Sequence, residues 1–211
     1  MDYIESLYAK KELTQRKYIE DTKIKHFAPV VDDDVARMLQ VLIMIAKPKK
    51  ILEIGTSIGF STASMAQAIK SYGGKIVTIE IDTEMVRQAV ENFKREGLDE
   101  QIEVKVGDAR IVVSDMNDEF DLIFQDVGDK NLYAEMLEDY VRLLKPGGVL
   151  LAEDTLFPAD LDSESGEWAQ MCKSLDAFNK TIADSPHFAS TLLPIGDGLT
   201  VAVKIKGKGE S

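Results

Sequence analysis

The chain has 211 residues, 45% of them hydrophobic, with 14 Gly and 6 Pro scattered along it and no internal repeat, which argues for one globular domain and against a solenoid or a disordered arm. A lone cysteine, Cys172, and two histidines rule out an internal disulfide and are too few for a typical structural zinc site. A formal net charge of −12 disfavours a nucleic-acid partner, because a phosphate backbone would be repelled.

The first residues, "MDYIESLYAKKELTQRKYIED", mix charged and apolar types, so they lack the apolar core of a secretory signal, and no later run approaches a membrane span. A soluble, cytoplasmic protein is expected, with no membrane partner. Two helices are expected in an N-terminal helical part, residues 1–46. Tyr3, Ile4, Leu7 and Tyr8 make a stripe on the first, suited to its own core, to another subunit or to covering a site. Asp32, Asp33 or Asp34 is expected to cap the second, since a carboxylate there accepts bonds from free amides and suits the helix dipole.

From residue 47 to 206 strands and helices alternate. "KKILEIG", "KIVTIEID", "QIEVKVGD", "FDLIFQD" and "GVLLAED" read as strands. "STASMAQAIKSYG", "TEMVRQAVENFKREG" and "NLYAEMLEDYVRLLKPGG" read as helices, the last stopped by Pro146 and two glycines. A helix follows around 167–184, and then "FASTLLPIG" and "LTVAVKIKG", too close together for a crossover, should pair antiparallel. The fold class is therefore α/β, a doubly wound, seven-stranded, mostly parallel sheet with an antiparallel C-terminal strand and extra N-terminal helices, all within one domain, 1–211.

In such a sheet ligands bind at the carboxyl ends of the strands. The turn in "ILEIGTSIGFST" places Gly55 and Gly59 as G-x-x-x-G, with Ser57 where a dinucleotide fingerprint has its middle glycine, so the spacing fits a pyrophosphate poorly. Glu53 ends the first strand, where an unpaired carboxylate is costly unless something binds it. Glu80 ends the second strand, placed as a carboxylate that holds ribose hydroxyls would be, and Asp108 follows the third. Singly, Gly55 serves as a plain turn, Glu80 as a solvated strand end and Asp108 as a helix cap; together, at three successive strand ends, they point to a ligand.

These stretches, with "GDA", "LKPGGVLLAED" and "LLPIGDGLTVA", resemble the cation-dependent S-adenosylmethionine O-methyltransferases, the group that includes catechol and caffeoyl-CoA O-methyltransferases, over roughly residues 28–205. The resemblance implies a Rossmann-like methyltransferase fold and S-adenosylmethionine as cofactor. It puts Glu53, Gly55 and Ser61 around the methionine part, Glu80 on the ribose, and Asp108 with Ala109 beside the adenine. Thr56, Ser57, Gly59, Ile81 and Asp126 complete the expected cofactor-binding set.

Asp126 ends the fourth strand and Glu153-Asp154 the fifth. If those strands are neighbours, three carboxylates converge, and such a group calls for a hard cation, Mg²⁺ with Ca²⁺ or Mn²⁺ as alternatives. In the resembled family a strand-four Asp and an Asp-Asn pair bind that ion, so Asp126 matches, while Glu153 and Asp154 depart by a methylene and a charge. "DVGDKNLY" carries one residue more than the family pattern and leaves Lys130 as the candidate for taking the hydroxyl proton. The bland alternatives are solvated strand ends for the acids and a helix-start lysine for Lys130. "DLDSESGEWAQM", residues 160–171, fails as an EF-hand and reads as an acidic loop near the site. The resulting expectation is a homodimeric O-methyltransferase of a small vicinal dihydroxy aromatic, with Asp126 and Lys130 catalytic. The alternatives are a tRNA hydroxyuridine O-methyltransferase, a non-catalytic cofactor-binding protein and, on the glycine turn alone, a dehydrogenase-type domain.

Overall fold

The structure is a computed structural model that describes residues 3–8, 13–156 and 166–205. The expected strands all form: β1 (Lys50–Ile54), β2 (Lys75–Glu80), β3 (Ile102–Val106), β4 (Phe120–Gln125), β5 (Leu144–Ala152), β6 (Phe188–Leu193) and β7 (Leu199–Lys204). They make one sheet in the order β3-β2-β1-β4-β5-β7-β6. Pairing is parallel from β3 through β5, whereas β7 runs antiparallel to both β5 and β6 and lies between them. Chain order reverses beside β1, between β2 and β4, and a cleft at the carboxyl ends of β1 and β4 follows from that reversal.

The central strands are buried on both faces, as parallel strands under crossover helices must be. On one face Ile51, Phe124 and Leu151 pack with Val35, Leu39 and Ile43 of α3 (Asp33–Ala46), Ala63 and Ala66 of α4 (Phe60–Ile69) and Phe93 of α5 (Thr83–Arg95). On the other, Leu52, Ile54 and Ile123 meet Val113 of α6 (Ala109–Ser114), Tyr133 of α7 (Asn131–Glu135), Tyr140 of α8 (Leu137–Leu143) and Leu175 and Phe178 of α9 (Glu167–Ala183). Asp82 caps α5 by accepting the Glu84 and Met85 amides at 2.7 and 3.3 Å, and Lys94 and Arg95 sit at the negative end of its dipole.

Four expectations need correction. Among the described residues three helices precede β1, because α1 (Tyr3–Tyr8) and α2 (Gln15–Glu20) are both short and separate from α3. Asp32 stands at the α3 N-cap but makes no side-chain capping bond; Asp34 Oδ1 accepts the first-turn Val35 amide at 2.8 Å, and Asp33 Oδ1 accepts the Gln15 amide at 2.7 Å, tying α3 to α2. The single helix expected over "NLYAEMLEDYVRLLKPGG" is two, broken at Met136, and Pro146 lies within β5 and not at a helix end. Helix α6 was not named in the chain order, although its N-cap is the Asp108 that was read as a possible helix cap.

Candidate functional site

The glycine turn between β1 and α4 is shaped by two close approaches. Gly55 has φ 95°, and a Cβ there would collide with the Asp126 carbonyl oxygen. Gly59 has φ 90°, and a Cβ there would strike the Phe93 ring. The turn amides of Thr56 and Ser57 donate to Glu80 Oε2 at 3.2 and 2.8 Å, and the Asp82 amide donates to Oε1 at 3.0 Å. Those amides are thus taken up by a carboxylate, which is why the turn is not a pyrophosphate cradle. Glu80 is held rigidly at the strand end with acceptor capacity left over.

Glu53 is fully buried beneath this turn. It accepts hydrogen bonds from Ser61 Oγ at 2.7 Å, from Thr78 Oγ1 at 2.6 Å and from Thr62 Oγ1. Burial pushes its carboxyl up to about 7, against the pull of those hydroxyls, Thr62 foremost. Asp108 does two things at once: its Oδ1 caps α6 by accepting the Arg110 amide at 2.8 Å, and it lines the cavity described below. Arg110 reaches Asp129 at 2.7 Å and Glu135 at 2.9 Å, fastening that wall to the segment after β4.

At the ends of β4 and β5, paired in register at Gln125 and Ala152, the expected acids converge. One oxygen each from Asp126, Glu153 and Asp154 lies within 4.8 Å of the others. Lys130 is buried beside them, its Nζ 2.5 Å from Asp154 Oδ2, 2.7 Å from the Val127 carbonyl oxygen and 3.2 Å from the Tyr133 hydroxyl. Burial and the Asp154 charge push the Asp126 carboxyl up to about 7, with Lys130 opposing. Burial, and then the hydrogen bond and charge of Asp154, push Glu153 up as well. With all three carboxylates ionised, this set and its one ammonium would carry a charge of −2, which a hard divalent ion would balance, so the donor set fits the cation that the resemblance implies.

A cavity of about 860 Å³ joins the two clusters. It is lined by Gly55, Thr56, Ser57, Ser61, Glu80, Ile81, Asp108 and Ala109 at one end and by Asp126, Lys130, Glu153 and Asp154 at the other. Of the expected site residues, Glu53 and Gly59 do not line it; Glu53 acts on it through Ser61. Met171 ends the segment read as near the site and Asp197 falls within "LLPIGDGLTVA", whereas no sequence signal marked Gln15 or Arg110 as lining the cavity, nor the stretch from His26 to Asp32 as another of its walls. That stretch has neither periodicity nor a recognisable ligand-binding spacing, and Pro29 alone marked it as irregular. In the segment read as an acidic loop, Glu167 to Met171 belong to α9, while Asp160, Asp162 and Glu164 lie outside the described residues.

The raised carboxyl groups carry a pH signature. A group whose folded pKa exceeds its unfolded one stabilises the fold below the unfolded value and loses that contribution as pH climbs through the folded value. For Glu53 and Asp126 the window opens at 4.5 and 3.8 and closes at about 7. Asp118 and Asp129, held low by hydrogen bonds from Lys50 and Arg110, act below 3.8. Calorimetry in chelator is therefore expected to show a melting temperature that falls from pH 5 to pH 8. A melting temperature that climbs over that range would refute the burial of these charges.

Comparison with known proteins agrees with this geometry. A family model described as O-methyltransferase matches residues 5–205. A catechol O-methyltransferase of Niastella koreensis is 31% identical over 183 residues, covering 82% of this chain and 81% of the relative. A caffeoyl-CoA O-methyltransferase of Medicago sativa is 29% identical over 184 residues, covering 82% and 74%. The crystal structure of an O-methyltransferase from Bacillus cereus in complex with SAH superposes with a TM-score of 0.81 at 26% identity, over 96% of this chain and 95% of that one.

Proposed function

The chain belongs to the O-methyltransferase family, and from that premise we propose that it moves a methyl group from S-adenosylmethionine to one hydroxyl of a small vicinal dihydroxy aromatic, assisted by a divalent cation. S-adenosylmethionine dependence and O-methyl transfer follow from the family; the acceptor and the metal are our reading. One observation carries it: a single cavity holds the glycine turn with Glu80 and Asp108 at one end and the Asp126, Glu153 and Asp154 cluster with Lys130 at the other.

When bound, S-adenosylmethionine supplies a methyl on a positively charged sulfur, and a divalent ion supplies a positive centre that acidifies a neighbouring hydroxyl. The chain's own residues supply position. Glu80, fixed by three backbone amides, is set to take ribose hydroxyls, and Ile81, Asp108 and Ala109 wall the space beyond it. Asp126, Glu153 and Asp154 would hold the ion. Lys130, whose Nζ lies 2.5 Å from Asp154 Oδ2, stands beside the acids, and as a neutral amine, not as the ammonium, it would receive a hydroxyl proton there.

The test uses labelled S-adenosylmethionine with chelator-treated protein, a panel of catechols, bulk tRNA and a Mg²⁺ titration. Label is expected in a catechol and is expected to rise with Mg²⁺. Label in tRNA alone would replace the acceptor, and full activity in chelator would remove the metal. Asp154→Asn belongs in the same assay. The residue sits at φ 64°, where Asn is at ease, and the change keeps an oxygen ligand while removing one charge. It is expected to retain Mg²⁺-stimulated turnover, within about tenfold of wild type.

Tyr3, Ile4 and Leu7 on α1 and Val41, Met44 and Ile45 on α3 are exposed, which supports the proposed homodimer. Among the described residues no helix is long and apolar enough to cross a membrane, and a cytoplasmic location stays part of the proposal.

A further inference from the structure

Residues 21–32 run along the cofactor cavity without helix or strand, and His26, Phe27, Val30 and Asp32 among them line it. Side chains from elsewhere hold this stretch near both ends. Towards its start, Gln88 Oε1 on α5 accepts the backbone amides of Lys23 and Ile24 at 3.2 and 3.3 Å. Towards its finish, Gln15 Nε2 donates to the carbonyl oxygens of Val30 and Val31 at 3.0 and 3.2 Å.

The first anchor is wired to the glycine turn by Asn92, which is 0% exposed. Its Nδ2 donates to Thr22 Oγ1 at 3.2 Å and to the Ile58 carbonyl oxygen at 2.9 Å. Its Oδ1 accepts from Gln88 Nε2 at 3.0 Å and from Arg95 Nη1 at 2.7 Å. An asparagine side chain has two donors and two acceptor sites, so this one is fully used. Arg95 also donates to the Asp21 carbonyl oxygen at 3.2 Å, and the Tyr18 hydroxyl donates to the Gly59 carbonyl oxygen at 3.0 Å. A position on the inner face of α5 could be filled by an apolar side chain if packing were its only task. A buried amide is tolerated there because its four bonds join three segments, and losing one leaves the others short of partners.

We propose that residues 21–32 are a strap across the cofactor cavity, that Gln88 and Asn92 latch the strap to the glycine turn, and that these two positioning residues set how fast spent cofactor leaves. The inference rests on the reading of this cavity as the S-adenosylmethionine site. When ligand occupies the cavity it presses on both the strap and the turn, and the latch makes the two walls yield together. Neither Gln88 nor Asn92 lines the cavity, so their effect reaches the ligand through the strap and the turn.

The experiment follows S-adenosylhomocysteine on the full chain, by stopped-flow release and by amide hydrogen exchange. In wild type, saturating S-adenosylhomocysteine is expected to slow exchange at Lys23 and Ile24, although neither lines the cavity. Gln88→Ala removes the acceptor for both amides and is expected to speed release about tenfold, the scale of a lost buried hydrogen bond. Its single-turnover methyl-transfer rate is expected to match wild type, because the acids and Lys130 are untouched. A variant that merely loosened the fold would lower both rates of chemistry and retention together. Glu91→Ala, which breaks the exposed Lys23–Glu91 ion pair of 2.8 Å, is the control and is expected to change neither. Unaltered exchange at Lys23 and Ile24 on adding ligand overturns the strap whether or not any variant folds. Release from Gln88→Ala at the wild-type rate overturns the latch. A wild-type chain that binds no S-adenosylhomocysteine overturns the cofactor reading itself, and the strap with it.

Discussion

Asp126→Ala is expected to slow methyl transfer about 1000-fold while leaving S-adenosylhomocysteine affinity within a few-fold of wild type. The carboxylate lies with Glu153 and Asp154 at one end of the cavity, whereas Glu80, Asp108 and Ala109 line the other. The backbone carbonyl of Asp126, which packs against Gly55, survives the substitution. Stability should move the other way. Burial and the neighbouring Asp154 charge hold the Asp126 carboxyl up at about 7, so above that pH its charge strains the metal-free fold. The variant should therefore melt no lower than wild type in chelator at pH 8, and higher if the strain is relieved. Loss of activity with retained or raised melting temperature is the mark of a residue kept for chemistry at a cost in stability. A variant that keeps Mg²⁺-stimulated turnover would return the three acids to solvated strand ends.

Gly55→Ala is the second large effect, and it is mechanical. The new Cβ meets the Asp126 carbonyl oxygen well inside contact distance at a φ of 95°, with Val127 also close. Backbone cannot swing aside as a side chain tip can, so β1 and β4 would have to part at the point where their ends carry the site. The expected cost is about 3 kcal/mol or more, with cofactor affinity lost along with it. Gly73→Ala isolates the steric part: its φ is 75° and a Cβ there meets nothing within 4 Å, so only the backbone penalty of about 1 kcal/mol applies. Urea unfolding of the two variants side by side measures the difference. Equal losses would mean that the approach at Gly55 is soft.

The parts that were legible in the sequence are those in which a short local pattern carries the physics. Apolar runs such as "ILEI" and "DLIF" can only be strands buried on both faces, and the acids at their ends fall at the sheet's carboxyl edge once strand order is known. Helix α6 showed in the sequence only through Asp108 as a possible cap, because its six residues follow β3 so closely that "ARIVVS" looks like more apolar strand. Pro146 misled for a related reason. It falls between the Leu144–Phe120 and Val149–Leu122 pairs, where the β4–β5 register shifts and a ladder amide is not required, so a residue read as a helix stop sits inside a strand. Despite the extra residue before it, Lys130 still arrives at the acids, its Nζ 2.5 Å from Asp154 Oδ2. The strap was invisible because its partners are remote: Ile24 finds Gln88 and Thr22 finds Asn92 across more than sixty residues, and no local spacing records such a meeting.

The placement of β7 between β5 and β6 has a consequence in time. During synthesis β5 emerges with β4 already available on one side, but its other side waits for residues 199–204. Until they appear, β5 offers an open row of amides and carbonyls, the kind of edge that recruits stray strands. The Glu153-Asp154 corner waits as well, since the amides of Thr155 and Leu156 bond to the carbonyl oxygens of Gly198 and Asp197 at 3.0 and 2.8 Å. A nascent chain can thus shape the glycine-turn half of its cavity on the ribosome while its carboxylate corner remains unfinished. Competence for chemistry arrives late and at once, when β7 pairs with β5 and gives the edge strand β6 its place on the sheet.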